Sequence, residues 1–338
     1  MKAIYLVRFG KPETAFEVRE IAVPSPNENQ VLVKVEAFGL NFADISARNG
    51  KYRDCPPLPC VLGYDVVGKV EAIGKNVSNV QVGDRVAALT RFGGYAEYVA
   101  ADFRGVVKIP EDMPLTFAGA IAVQYCTAYY SCIECVNVHE GDRALVHAAA
   151  GGVGTALVQL LKNKGAIVFG TCGSAEKIDY LKSLGVDYTI NYRATDYKNE
   201  IVKISGAKKL DLVFDSVGGS YVRDGIKLLG AGGKLVSYGA SQIMGANLFS
   251  KIKIGLQFGI YHPAVFLINS KSLIGVSILR LADQKPEIIQ RCFRGIIKLF
   301  KDGVIRPAGG LEFPAEKLGE AHRAVEERKT MGKVMVKW

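Results

Sequence analysis

Histidine is scarce in this 338-residue chain, with only His139, His147, His262 and His322 present. They share no spacing that would build a metal centre or a nucleophile's proton relay, so packing and surface roles are expected of all four. Cysteine is sparse as well: Cys55, Cys60, Cys126, Cys132, Cys135, Cys172 and Cys292 are odd in number and irregularly placed. That pattern argues against a disulfide frame and suits reduced thiols in the cytoplasm. Cys132 and Cys135 form one CxxC with no second pair, and are expected on one face of a helix without a redox or metal role.

Long apolar runs are missing too, and no stretch reaches the roughly 20 apolar residues that a membrane span needs. Residues 254–270 come nearest, but Gly255, Gly259 and Pro263 break them, and Lys251, Lys253 and Lys271 flank them. A wall of the substrate cleft or a dimer surface is expected there, with a lipid-facing hairpin as the alternative. Residues 1–7 read as a strand rather than a leader. There is no internal repeat, low-complexity linker or nucleic-acid-binding motif. The balance of 43 basic against 33 acidic residues gives a net charge of +10, scattered along the chain. This describes a basic surface, or attraction for a phosphorylated cofactor or an anionic membrane face, and charge alone leaves the choice open.

Glycine, by contrast, is concentrated where it is informative. An apolar strand, residues 144–148, runs into Ala149, Ala150, Gly151, Gly152, Val153 and Gly154, and an apolar-striped helix follows at once. Such a turn brings backbone N–H groups and a helix N-terminus against a pyrophosphate. Ala149 stands at the usual first glycine, so the fingerprint is AxGxxG. The strand before it and the helix after it favour nucleotide binding over a purely steric turn.

The next strand, residues 166–171, leads into Cys172, Gly173, Ser174, Ala175, Glu176 and Lys177. An NAD site usually offers an acid at this strand tip for the ribose 2′-hydroxyl. Here the tip carries none. Ser174 and Lys177 offer a hydroxyl and a cation, which suit a 2′-phosphate, so NADPH is expected rather than NADH. The plainer reading is that Ser174 caps the following helix and Lys177 is solvated.

Residues 1–120 alternate in short runs punctuated by Gly, Pro and Asp, the pattern of an irregular β domain. From about residue 140 strands and helices alternate, the pattern of a doubly wound parallel sheet. Strands are expected at 144–148, 166–171, 188–191, 210–216, 233–239 and 273–278. Helices near 287–301 and 315–327 then precede a last strand at 333–338. The fold class is α/β.

The ordered set Gly39–Leu40–Asn41–Phe42–Ala43–Asp44, Pro56–Pro57–Leu58–Pro59, Val82–Gly83–Asp84–Arg85–Val86, Gly93–Gly94–Tyr95–Ala96–Glu97–Tyr98, the loop at 148–154, Asp215–Ser216–Val217–Gly218–Gly219 and Met331–Gly332–Lys333–Val334 spans nearly the whole chain. It resembles the zinc-independent medium-chain dehydrogenase/reductases of the quinone oxidoreductase branch, nearest to the vesicle amine transport protein-like group. The resemblance implies a GroES-like β domain built from both chain ends and a Rossmann domain inserted between them. The expected division is 1–122, then 123–262 for the nucleotide, then 263–338 as the return, including the last Rossmann strand near 273–278.

Zinc-dependent relatives would need a Cys near 41, a Gly-His-Glu near 63–65 and a second Cys before the Rossmann domain. This chain has Asn41, Gly63–Tyr64–Asp65 and Val123 there, and no four-cysteine lobe, so no metal is expected. The resemblance implies hydride transfer from NADPH to a small apolar quinone or α,β-unsaturated carbonyl compound. Asn41 and Tyr52 are the expected catalytic residues, as neutral donors to the carbonyl oxygen. Tyr52 could also give a proton, although a phenol is a sluggish acid unless its neighbours tune it. Cofactor contacts are expected from Asn41, Thr127, Gly151, Gly152, Val153, Gly154, Gly173, Ser174, Lys177, Tyr192 and Tyr238. Thr127 has a helix cap, and Asp44–Arg48 a helical salt bridge, as the plainer reading. A homodimer joined by edge strands near 275–279 is implied. The alternatives are a low-turnover NADPH-binding protein that contacts lipid or membrane peripherally, and an enoyl-thioester reductase.

Overall fold

The computed structural model describes residues 1–206, 209–241 and 257–338. The chain divides into two compact units, Met1–Cys126 with Ile278–Trp338, and Thr127–Ser277.

The first unit takes strands from both ends of the chain into one sheet. Its order is Leu311–Pro314, Val334–Lys337, Gln30–Leu40, Asp65–Ile73, Arg85–Leu89 and Val106–Lys108, with Tyr98–Asp102 also paired to Gln30–Leu40. The strand Gln30–Leu40 sends Val31, Val33 and Val35 inward while Lys34 and Glu36 face water, the period-two pattern of a half-buried strand. Irregularities against Asp65–Ile73 bend it, and residues 37–40 are then buried without interruption. Val334 pairs with Leu40 antiparallel, so the last strand closes the sheet beside the turn at Asn41. Leu6, Val33, Phe38, Val66, Tyr95, Leu318 and Val336 belong to the core. Within it Phe38 packs at 4.4 Å on the Tyr95 ring and at 5.9 Å, edge-on, against Trp338.

The second unit is a six-stranded parallel sheet in the order Tyr188–Asn191, Ile167–Cys172, Arg143–Val146, Leu210–Asp215, Leu229–Ser237 and Ser272–Gly275. Leu145, Val146, Val168, Val213, Phe214, Leu235 and Val236 are fully buried, as expected where helices cover both faces. Strand order reverses beside Arg143–Val146, which places the switch point of the sheet at the glycine loop. The helix Gly152–Asn163 buries Ala156, Leu157, Val158, Leu160 and Leu161. Three further helices, Ala175–Ser183, Tyr197–Ser205 and Ser220–Leu228, follow strands of this sheet.

Two strand boundaries differ from expectation by more than two residues. The fifth strand starts at Leu229, not at 233, because Gly230, Gly232 and Gly233 read as a turn while Leu229 already pairs with Leu210. The sixth ends at Gly275, and Ile278 opens the helix Ile278–Gln284 instead of closing a strand. All seven cysteines are free. Cys132 lies in a π-helical turn, Tyr130–Glu134, and is buried, while Cys135 caps the C-terminal end of that turn and is half-buried.

Of the apolar segment 254–270, residues 254–256 and the flanking Lys251 and Lys253 lie outside the described residues. The remainder includes the helix Pro263–Asn269, where Leu267 and Ile268 are 82% and 79% exposed. Among the described residues no helix is long and apolar enough to cross a membrane.

Removal of the Phe38 ring should lower stability by about 3–5 kcal/mol, the usual loss for a fully buried aromatic truncated to alanine. Denaturant unfolding of Phe38→Ala, followed through the single tryptophan, Trp338, tests this. A loss below about 1 kcal/mol would contradict the packing described.

Candidate functional site

Asn41 ends the central strand of the first unit and N-caps the helix Phe42–Arg48. Its backbone N–H donates to Asp44 Oδ2 at 2.8 Å, the reciprocal half of a capping box. Its side-chain Nδ2 donates to Asp65 Oδ2 at 2.8 Å, and Lys333 Nζ donates to its Oδ1 at 3.2 Å. Lys333 also pairs with Asp65 Oδ2 at 2.7 Å, and all four residues are buried. An ammonium only donates and a carboxylate only accepts, so the two partners fix which way the Asn41 amide faces. One Nδ2 hydrogen remains for another acceptor. Gly39 is required beside this pair, because a Cβ there would run into Asp65 Oδ1 and the end of Lys333.

Asp44 has no cation of its own. Burial raises its carboxyl to about 7, the nearby Asp65 adds to this, and the Asn41 N–H and Lys333 oppose it. The expected Asp44–Arg48 bridge does not form. Asp44 turns back to its own N-cap, and the buried Arg48 reaches Glu326 at 2.7 Å, where Asn49 Nδ2 also donates to the same carboxylate. Tyr95 Oη lies 3.1 Å from His322 Nε2. Burial, reinforced by Arg48, holds His322 well below its ordinary pKa and therefore neutral.

Tyr52 is half-buried and meets Tyr64 edge-on, with 5.8 Å between ring centroids. Burial raises the Tyr52 pKa, and its contact with Tyr64 opposes this only in part. The phenol is therefore kept protonated. Beside it, Asp54 pairs with Arg280 at 2.6 Å. The positions at which the resemblance would set zinc ligands carry the Asn41 amide, the Tyr64 phenol and Val123. Among the described residues no group of three or more His, Cys, Asp or Glu could hold a metal ion. The cation that Asp65 and Asn41 do hold is the Lys333 ammonium.

In the second unit the glycine loop starts from a strained residue, Ala148, at φ 51°. Its N–H donates to Thr171 Oγ1 at 3.3 Å, and that hydroxyl lies 3.2 Å from His147 Nδ1. Gly151 N donates to Ala148 O at 2.9 Å, and Gly151 O accepts from Thr155 N at 2.8 Å, the first bond of the helix. No side chain caps this end. The first-turn N–H groups of Gly152, Val153 and Gly154 therefore stay outside the helical ladder, available to an anion. Gly154 admits no side chain: a Cβ there would strike Ala148 O and lie 2.7 Å from Ala149 Cα.

Gly173, Ser174, Tyr192 and Tyr238 stand at the C-terminal ends of other strands of the same sheet. Ser174 occupies the N-cap position of the helix Ala175–Ser183, yet its hydroxyl makes no capping bond, which corrects the plainer reading. A Cβ on Gly173 would lie 2.7 Å from Tyr192 Oη, so glycine lets that phenol close over the strand tip. Lys177 is half-buried in the first turn of the same helix, and Tyr238 N donates to Asp215 O at 2.9 Å.

Thr127 is not a cap either. It is buried inside the helix Cys126–Tyr129, between the π-helical turns Ile121–Tyr125 and Tyr130–Glu134. Paired π turns of this kind are frequent at functional sites. Asn41 and Tyr52 belong to the first unit, and the other expected cofactor residues to the second. Sequence reasoning met Lys333 and Asp65 only as members of the segments 331–334 and 63–65 and gave neither them nor the Thr171–His147 pair a role in the site, because these contacts join residues 268 and 24 positions apart.

Two family models match the chain: the alcohol dehydrogenase GroES-like domain over residues 27–111, and the zinc-binding dehydrogenase over residues 152–293. The chain is 36% identical to the synaptic vesicle membrane protein VAT-1 homolog of Rattus norvegicus, over 99% of this chain and 84% of that one. It is 32% identical to the quinone oxidoreductase of Homo sapiens, over 96% and 94%. The structure of Escherichia coli quinone oxidoreductase complexed with NADPH superposes with a TM-score of 0.87 at 28% identity, covering all of both chains.

Asp44 supplies a pH test. Its folded carboxyl holds a proton up to about pH 7, whereas in the unfolded chain it ionises near 3.8. Its contribution to stability is therefore full below about 3.8 and lost as pH rises through about 7. Asn keeps the uncharged form, so the melting temperature of Asp44→Asn minus that of the native protein should climb across this window and then level. A difference that stays flat with pH would contradict the assignment.

Proposed function

Within the medium-chain dehydrogenase/reductase family, to which this chain belongs, we propose that it acts as an NADPH-dependent oxidoreductase reducing quinones or α,β-unsaturated carbonyl compounds. The observation that carries the reading is the glycine loop, with Gly154 pressed against the backbone and the first-turn N–H groups open. NADPH, when bound, supplies the hydride. Gly151, Gly152, Val153 and Gly154 receive its pyrophosphate. Gly173, Ser174, Lys177 and Tyr192 receive its ribose 2′-phosphate, which the uncommitted Ser174 hydroxyl favours. Thr127, Tyr238 and Asn41 are assigned to its nicotinamide half.

Asn41 and Tyr52 are the catalytic donors in this reading. As hydride reaches the β-carbon of an enone, negative charge grows on the carbonyl oxygen. A neutral donor held in place stabilises that charge more than it stabilises the ground state. The clamped Asn41 amide has one hydrogen to give. Tyr52 gives a hydrogen bond, and solvent gives the proton, because burial makes its phenol a weaker acid than usual.

The protein is assigned to the cytoplasm, where seven free thiols are stable. A homodimer would use the strand that is outermost in the parallel sheet among the described residues, Ser272–Gly275, where the exposed Leu273 offers a pairing surface.

Fluorescence titration with NADPH and NADH, followed by NADPH consumption with a panel of quinones and enones, tests the proposal. It requires tighter NADPH binding and turnover of at least one acceptor. Binding without turnover on any acceptor would instead favour a nucleotide-binding protein, and no binding of either nucleotide would overturn the reading of the loop.

Two substitutions sharpen the test. Gly154→Ala should weaken NADPH by about tenfold or more, since backbone atoms and not flexible side chains meet the new methyl group. Tyr52→Phe should lower kcat by up to about 10²-fold and leave NADPH affinity unchanged. An unaltered kcat would remove Tyr52 from the mechanism.

A further inference from the structure

We propose that Lys333 is a positioning residue of the reaction: seated on Asp65, its ammonium orients and polarises the Asn41 amide and so strengthens the Nδ2–H offered to the substrate oxygen. The inference rests on the reading of Asn41 as a donor to that oxygen. It adds a charged residue that acts only through the amide.

Strand register brings the three groups together. Val334 pairs with Leu40 and Met335 with Gly39, so one step further Lys333 stands opposite Asn41, whose backbone is still extended at φ −124° and ψ 160°. On the other side of the same strand Val66 pairs with Phe38, and one step further Asp65 stands opposite Gly39. Residues 39 and 41 share a face. Lys333 and Asp65 therefore meet over Gly39, in the space its missing side chain leaves. The ammonium lies 2.7 Å from Asp65 Oδ2 and 3.2 Å from Asn41 Oδ1, and the same carboxylate oxygen accepts from Asn41 Nδ2 at 2.8 Å.

Stability alone does not account for the pair. Buried ions repay their desolvation only when their remaining groups are bonded too, and an apolar pair of similar volume is often as stable. Here Asp65 Oδ1 is buried and has no hydrogen-bond partner among the described residues. Both charges are instead directed at the two ends of one amide. A cation on the amide oxygen draws electron density from the nitrogen, and hydrogen bonds linked in this way strengthen one another. Burial of all three residues keeps water from screening the effect.

The test compares reduction of a simple cyclic enone and of an electron-poor quinone by the native protein, Lys333→Met, Asn41→Ala and the double variant. The enone oxygen gathers more charge in the transition state, so it depends more on a strong donor. Lys333→Met should lower kcat for the enone by about 10-fold, within the usual coupling of residues in contact, and for the quinone by clearly less. In the Asn41→Ala background it should cost nothing further, because the amide it acts through is gone. Equal losses for the two acceptors, or full additivity with Asn41→Ala, would show a merely structural role and overturn the inference. Lys333→Met leaves Asp65 as a buried charge without its cation, which endangers folding. Lys333→Met/Asp65→Asn removes both charges, keeps an amide oxygen to accept from Asn41 Nδ2, and carries the same comparison between acceptors. Full activity of Asn41→Ala would overturn the inference and leave the reductase reading standing. A native protein that reduces neither acceptor would remove that reading, and the inference with it.

Discussion

An ammonium group without water around it is tolerated only where its donors are met, and Lys333 is met by Asp65 and Asn41. This contact draws together three segments far apart in the chain: the start of the last strand, the strand Asp65–Ile73 and the turn into the helix Phe42–Arg48. Much of the surrounding structure follows from it. Gly39 must lack a side chain to leave room for the pair. The Asn41 amide can face only one way. Asp65 takes the cation, so Asp44 is left with peptide and neutral partners and keeps its proton to about pH 7.

The same economy of charge characterises the candidate donors. Asn41 and Tyr52 are neutral, and the charged groups near them are closed into pairs, Lys333 with Asp65 and Arg280 with Asp54. Neutral donors suit an oxygen on which charge grows only during reaction, and one clamped as Asn41 is by a buried ion pair needs little reorganisation at that moment. In the parallel sheet the arrangement is the opposite. The strand ends beside the switch point carry N–H groups outside the helical ladder, a hydroxyl without a capping bond and the Lys177 cation, which suits a polyanionic nucleotide.

The parallel sheet was legible in the sequence because strands covered on both faces read as continuous apolar runs. The glycine loop was legible because backbone strain and close approach leave few residues to choose from. Boundaries were lost where glycine carried two meanings, as at Gly230–Gly233, where a paired strand looked like a turn. Local rules also misled. Four-residue spacing suggested an Asp44–Arg48 bridge, while Arg48 has its partner 278 positions away in Glu326. Lys333 and Asp65 are separated by 268 positions, and no local pattern could have joined them. Ser174 stands at a helix start like any cap, and only its unused hydroxyl distinguishes it.

In the proposed reaction the nicotinamide would supply hydride to an electron-poor carbon, and the protein's part would be to hold neutral donors on the oxygen. Reduction of an enone by NADPH carrying deuterium at the transferable C4 position, with the product analysed by mass spectrometry and NMR, tests it most directly. The account requires one deuterium on the β-carbon and a solvent proton on the α-carbon. Product without deuterium at the β-carbon, or deuterium at the α-carbon, would contradict it.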